Sequence, residues 1–258
     1  MFAIAARKGL EAVVFGGDLL PPPYRGADVL QCHIDFITMK LRPLLADFKE
    51  RVGAEVYCMP GNDDAAACAE ELEGMERDGL VRHLHMKQHC FGDLSIYGYS
   101  FVPLTPFGIK DWDRFDTADQ PVPEIGSPPF VTARTGQRPV DIDRDIRPLG
   151  TIAEDFERIA SETPADKTVY VTHAPPFNTA LDILYSGEHI GSRAIRTFIE
   201  RYQPPLTLHG HIHESASRSG AFYDRIGKTV SVNPGSSMRQ VHAVIIDTAD
   251  IEGSIRLV

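Results

Sequence analysis

One feature constrains this chain more than any other. Short, β-rich and mostly apolar runs stop abruptly at glycine or at a polar side chain able to bind a metal. Ala12 to Phe15 (AVVF) runs into Gly16-Gly17-Asp18, and Ala54 to Met59 (AEVYCM) runs through Pro60 into Gly61-Asn62-Asp63-Asp64. Thr168 to Thr172 (TVYVT) ends at His173, and Leu206 to Leu208 ends at His209-Gly210-His211-Ile212-His213. Runs of this length, rich in β-branched and aromatic residues and bounded by turn residues, read as buried strands. In an α/β sheet, ligands bind where strands stop, at their carboxyl ends. Glycine there lets the backbone turn with positive φ and approach an ion closely.

Helical patterns alternate with these runs. Ile34, Ile37, Leu41, Leu44, Leu45 and Phe48 recur at helical spacing, with Pro43 predicting a kink. Ala65 to Met75 and Ile152 to Ser161 read as helices. Ile195, Phe198, Ile199 and Tyr202 mark another helix face, with Ser192 as its N-cap. Further strands are expected at Leu80–His85, Leu94–Phe101 (in a hairpin), Thr229–Val232, Val241–Ile246 and Ser254–Leu257. The mixture predicts an α/β layer architecture. Residues 103–149 differ, holding eight of the nineteen prolines, so they cannot be mostly regular structure. The chain reads as a single domain over 1–258, with a proline-rich insertion or a cap over a site at 103–149.

Composition narrows the function. The 258 residues are 43% apolar and 24% charged, ordinary for a soluble globular protein. No window approaches 18 uninterrupted apolar residues, and Arg7 and Lys8 fall too late for a signal peptide. A cytoplasmic protein is expected. The net charge of −10, without any Lys/Arg run, disfavours nucleic acid as a partner, while an acidic chain can still bind a phosphate compound when metal ions supply the positive charge. Cys32, Cys58, Cys68 and Cys90 form no CxxC pair and read as reduced thiols. The oligomeric state, a homo-oligomer included, stays open.

The chemistry of the strand ends is coherent. Asp can bridge two cations, Asn offers a neutral oxygen, and His offers a nitrogen suited to Mn, Fe, Zn or Ni. If extended, His211 and His213 point the same way and could serve neighbouring ions. Two ions about 3.5–4 Å apart can clamp a phosphoryl group. Each motif has a plain competing explanation. Asp18 could be a turn residue, Asp63 or Asp64 a helix cap, and His173 a hydrogen-bonded core residue. Four such motifs in order, each at a strand end, argue against coincidence.

The ordered set GGD, GNDD, TH and GHIH resembles the calcineurin-like metallophosphoesterases. VTHAPPFN (171–178), HGHIHES (209–215) and NPGSS (233–237) are similar to the small predicted bacterial and archaeal phosphoesterases of that superfamily. The resemblance implies a four-layer αββα fold, two mixed β-sheets packed as a sandwich and flanked by helices. It implies a hydrolase that cleaves phosphate esters with a metal-activated hydroxide. It makes Asp18, Asn62, His173 and His211 ligands of one divalent metal. Asp18 and His213 would serve a second, and Asp63 and His211 are the candidate catalytic residues. The Asn233-Pro234-Gly235 turn would stand nearby as scaffold.

Two departures stand out. The family opens with a strand ending in Asp-x-His, and no such motif precedes Asp18. The first residues read instead as the last turns of a helix, so Met1 is expected to be internal to a longer reading frame. As written, one metal site keeps four protein ligands and the other only two. Second, Asp63 stands where many relatives carry His. An ordinary aspartate is ionised at neutral pH, is a poor proton donor and repels a dianionic monoester more than a diester. Diesters, or esters with good leaving groups, are therefore the expected substrates. The alternatives are a scaffold of the same fold, as in a retromer subunit that also lacks this His, and a nuclease, since double-strand-break repair nucleases share the motifs.

Overall fold

Ala12–Phe15 (β1) lies beside Glu55–Cys58 (β2), in parallel register from Ala12 opposite Glu55 to Phe15 opposite Cys58. Arg82–His83 (β3) adds a third parallel strand to this first sheet, of order β1-β2-β3. The computed structural model describes residues 2–22, 28–237 and 241–258. Four helices cover one face of this sheet: Phe2–Lys8 (α1), Val29–Phe36 (α2), Arg42–Val52 (α3) and Ala69–Arg77 (α4). Their apolar stripes bury Leu30, Ile37, Leu41, Leu45, Phe48, Leu72 and Met75 against Val13 and Val56.

The kink expected at Pro43 takes a definite form. Residues Ile37–Leu41 widen into a π-turn just before α3, and Pro43 sits in the first turn of that helix. Proline has no N–H to offer the preceding turn, so the helix widens there and restarts.

Gln88–Phe91 (β4) and Leu94–Tyr99 (β5) form the expected hairpin. Short pieces follow: Val102–Pro103 (β6) beside Asp113–Arg114 (β7), then a hairpin of Phe130–Ala133 (β8) and Gly136–Pro139 (β9). Ile152–Glu162 (α5), Thr168–Thr172 (β10), Arg193–Tyr202 (α6), Leu206–Leu208 (β11), Ser215–Ser219 (α7), Tyr223–Ile226 (β12) and Thr229–Val232 (β13) continue the chain. Val244–Ile245 (β14), Ile251–Ser254 (α8) and Arg256–Leu257 (β15) close it. The second sheet has the order β12-β13-β11-β10-β5-β4. Its four inner strands are parallel and both edge strands antiparallel.

Two cores give the layers. Tyr57, Met59 and Leu84 from the first sheet meet Ile96, Val169, Val171, Leu206, Val230 and Val232 from the second, which makes the sandwich interior. Tyr99, Tyr170, Ile152, Phe156, Ile159, Ile195 and Phe198 bury the second sheet's other face under α5 and α6. The result is helix, sheet, sheet, helix, as the resemblance implied.

Several expected boundaries move. Of Leu80–His85 only two residues pair as strand, Val241–Ile246 shrinks to β14, and Ser254 closes α8 rather than opening a strand. Residues 103–149 are held more firmly than a proline-rich loop requires. Lys110 is fully buried, its Nζ 2.7 Å from Asp113 Oδ2 and 2.7 Å from the Thr105 carbonyl. The segment braces the strand-end loops: Trp112 Nε1 donates to the Asp64 carbonyl at 2.7 Å, and Asp111 accepts from the Ala66 amide at 2.7 Å. Arginines of the segment make surface ion pairs: Arg134 pairs with Glu70 and Glu71, Arg144 with Asp145 and Arg147 with Asp143.

Candidate metal centre

The carboxyl ends of β1, β2, β10 and β11 open on one edge of the sandwich. The loops leaving them bring Asp18, Asn62, Asp63, His173, His211 and His213 together. Asp18 Oδ2 lies 3.2 Å from His173 Nε2 and 3.6 Å from His213 Nε2. Asn62 Oδ1 lies 3.0 Å from His173 Nε2 and 2.6 Å from His211 Nδ1. The Asp63 amide donates to Asp18 Oδ1 at 3.0 Å, and Asn62 Nδ2 donates to Asp63 Oδ1 at 2.8 Å.

Strained backbone builds this convergence. Asp18 and His211 both sit at positive φ, 51° and 63°, which is uncommon for residues with a Cβ. The expectation that His211-Ile212-His213 runs extended is therefore corrected: the loop turns at His211, and both imidazoles still reach the cluster. Gly17 and Gly61 make the approach feasible. A Cβ on Gly17 would stand 2.3 Å from His173 Nδ1, and one on Gly61 2.3 Å from Asp18 Oδ1.

His173 shows what the cluster is suited to hold. Its Nδ1 is 2.7 Å from the Gly16 carbonyl, which can only accept, so Nδ1 carries a proton. Nε2 then faces Asp18 Oδ2 and Asn62 Oδ1, both acceptors. A proton on Nε2 answers that convergence, and so does a divalent cation. Burial opposes charge on Asp18, yet His173 and hydrogen bonds from His173, His213 and the Asp63 amide hold its carboxyl well below the usual range. Burial likewise opposes charge on His173, and Asp18 raises it. Burial, then His173, pushes His211 down to about 3, so its imidazole is neutral, the form that ligates. Among the described residues no three His, Cys, Asp or Glu side chains stand ready-made as a metal site. Asn62 Oδ1, a neutral oxygen, joins the two histidines. The set of one carboxylate, one amide oxygen and imidazoles fits a borderline divalent cation. Around His213, which is half exposed, Asp18 is the one second donor the cluster offers among the described residues.

Three supporting residues escaped the reading of the sequence or were given the wrong task. Asp64 caps no helix. Its buried carboxylate accepts from the amides of Gly61 (2.8 Å), Leu19 (3.0 Å) and Leu20 (2.8 Å), stapling the loop after β1 to the loop after β2. Burial and Asp18 push it up to about 7 against those three donors. Asp63 caps no helix either, and burial, then Asp18, raises its carboxyl above an ordinary aspartate, contrary to expectation. His209 ties β10 to β11, with Nδ1 2.8 Å from Thr172 Oγ1 and Nε2 2.8 Å from Thr207 Oγ1. Asn233 does stand beside the site as scaffold, its Nδ2 donating to the carbonyls of Gly210 (3.0 Å) and Ile212 (3.2 Å).

A two-sheet α/β sandwich with Asp, Asn and His gathered where parallel strands end defines a metallophosphoesterase-type protein. The calcineurin-like phosphoesterase family model matches residues 2–215, and the chain belongs to that family, whose members depend on metal. The uncharacterized protein MJ1162 of Methanocaldococcus jannaschii is 44% identical over 68 residues, a match spanning 25% of this chain and 29% of that protein. A crystal structure superposes with a TM-score of 0.63 at 16% identity, over 99% of this chain and 90% of that one. The protein TT1561 of Thermus thermophilus superposes with a TM-score of 0.58, also at 16% identity, over 99% of this chain and 89% of that one. No described helix is long and apolar enough to cross a membrane.

Proposed function

We propose that this chain is a metal-dependent hydrolase of phosphate esters that favours diesters over monoesters. The observation that carries the reading is the meeting of Asp18 Oδ2 and Asn62 Oδ1 at His173 Nε2, 3.2 and 3.0 Å away, with the other nitrogen of His173 committed to Gly16. Asp18, Asn62, His173 and His211 would hold one divalent cation, and His213 with Asp18 would serve a second. When bound, such a cation polarises a phosphoryl oxygen and lowers the pKa of water.

The chain's own groups do the rest. The Gly16 carbonyl fixes the tautomer of His173, so Nε2 stays aimed at the cluster. Asp64 and Asn233 hold the loops in register. Asp63 sets an acidic group at the mouth, which disfavours a dianionic monoester relative to a monoanionic diester. Manganese, iron, zinc and nickel all suit the donor set.

The test is hydrolysis of bis-p-nitrophenyl phosphate against p-nitrophenyl phosphate, with Mn²⁺ and with chelator. Mn²⁺-dependent turnover, faster on the diester, supports the reading. Bound Mn²⁺ without turnover of either ester moves the assignment to a scaffold. Steeply salt-dependent DNA binding moves it to a nuclease.

A further inference from the structure

Beside the cluster lies a second built arrangement that the proposed reaction has not used. Residues 182–190 form a tight hairpin, with Ile183 opposite His189 and the Leu184 amide donating to the Glu188 carbonyl at 2.9 Å. At its base Asp182 is fully buried. Its Oδ1 accepts from the Thr179 amide (2.8 Å) and Thr179 Oγ1 (3.3 Å), and its Oδ2 from the amides of Asn178 and Gly191 (both 3.0 Å). Oδ1 also lies 2.8 Å from His189 Nδ1. A carboxylate so saturated with donors is an acceptor, so Nδ1 of His189 carries the proton. Nε2 has no protein partner among the described residues, and the side chain is 29% exposed. A buried carboxylate orienting a half-exposed imidazole is the arrangement that prepares a histidine to transfer protons at its far nitrogen.

Three tethers set this hairpin beside the cluster. The Ser192 amide donates to the Pro175 carbonyl at 2.9 Å, two residues after His173. Asn233 Nδ2 bonds the Leu181 carbonyl at 3.1 Å together with those of Gly210 and Ile212 in the histidine loop. Tyr185 at the tip bonds Ser217 at 3.1 Å, four residues after His213.

The geometry points to His189 as the group that protonates the leaving oxygen, with Asp182 as its positioning residue. This rests on the phosphoesterase reading and supplies a proton donor other than Asp63. In the step, a water oxygen forms a bond to phosphorus and loses its protons to solvent. The bond from phosphorus to the ester oxygen breaks with its electron pair on that oxygen. The Nε2 proton of His189 passes to it, releasing the alcohol, and His189 regains a proton from solvent.

The test compares two diesters of equal charge. p-Nitrophenolate leaves bis-p-nitrophenyl phosphate without needing a proton, while phenolate leaving diphenyl phosphate is far more basic. His189→Asn keeps a donor to Asp182 and removes the far nitrogen. Far-UV circular dichroism checks its fold. The expected result is a loss of about 10²-fold on diphenyl phosphate and a much smaller loss on bis-p-nitrophenyl phosphate. Asp182→Asn should shift the same ratio in the same direction. Equal losses on both esters, or none on diphenyl phosphate, with the unaltered protein active, would overturn the assignment and leave the phosphoesterase reading intact. An unaltered protein that hydrolyses neither ester overturns both.

Discussion

At the scale of single residues, the site depends on the absence of two side chains as much as on the presence of six. A Cβ on Gly61 would stand 2.3 Å from Asp18 Oδ1 and 2.4 Å from the Asp18 amide, which cannot move aside as a flexible side-chain end could. Gly61→Ala is therefore expected to displace Asp18 and lower esterase activity by about 10²-fold or more, the usual cost of a 1 Å misplacement. Gly79 is the control: its φ is +71° but nothing lies within 4 Å of an added Cβ. Gly79→Ala should cost about 1 kcal/mol of stability and leave activity alone. Equal activity losses in the two variants would refute the argument from crowding. Asp64 makes a second case. Asparagine has one acceptor where Asp64 uses two, so Asp64→Asn leaves at least one of the Leu19, Leu20 and Gly61 amides without a partner. A loss of about 1–3 kcal/mol is expected from denaturant unfolding. The sequence invited a helix cap at this position. The regular helix starts only at Ala69, and the carboxylate is spent on tertiary contacts with no local signature.

At the scale of elements, what was legible follows burial. β2, β10, β11 and β13 are largely buried between parallel neighbours or beside one, so apolar residues fall on both of their faces and the runs stood out even with Glu55, Thr207 or Ser231 among them; β1, only half-buried, stood out through its four apolar residues. The two-residue strands β3, β6, β7 and β14 carry no period from which to read them. The β8–β9 hairpin was hidden because Pro139 ends it, and proline is tolerated only at edges like this one. His85, two residues after β3, bridges to Gly98 of β5 and carries a pH prediction. Its Nδ1 accepts from the Ser100 amide at 3.1 Å, and its ring meets those of Trp112 and Phe101 edge-on at 4.8 and 5.0 Å. Burial, then the charges of His83 and Arg114, pushes it down from 6.5 to about 3. The unfolded chain therefore takes up this proton first as pH falls. Stability is full above 6.5 and declines toward 3, by at most about 1.4 kcal/mol per pH unit. His85→Gln keeps an acceptor but does not titrate. Urea unfolding at pH 7.5 and pH 5 should show the unaltered protein losing more stability than the variant, and parallel losses would contradict the assignment.

At the scale of the whole molecule, the cluster is a seam. Asp18, Asn62 and Asp63 come from the first sheet, and His173, His211 and His213 from the second. The sequence showed which residues end strands but not which strands share a sheet, because strand order is a long-range property that local pattern does not encode. That division has a thermodynamic consequence. A cation bound across the seam is held only when both sheets are folded and packed, so it stabilises the native state by mass action. At free Mn²⁺ of about 100 times its Kd the gain is about 2.7 kcal/mol. At about 2–4 °C per kcal/mol for a chain of this size, the thermal midpoint should rise by about 5–10 °C. Chelator should reverse the shift. Asp18→Asn, which removes the charge common to both sites, should largely abolish it. The readout is calorimetry and needs no turnover, so it tests the cation site independently of substrate choice. A midpoint indifferent to Mn²⁺ would remove the metal from the proposed function. An equal shift in Asp18→Asn would place the cation elsewhere on the molecule.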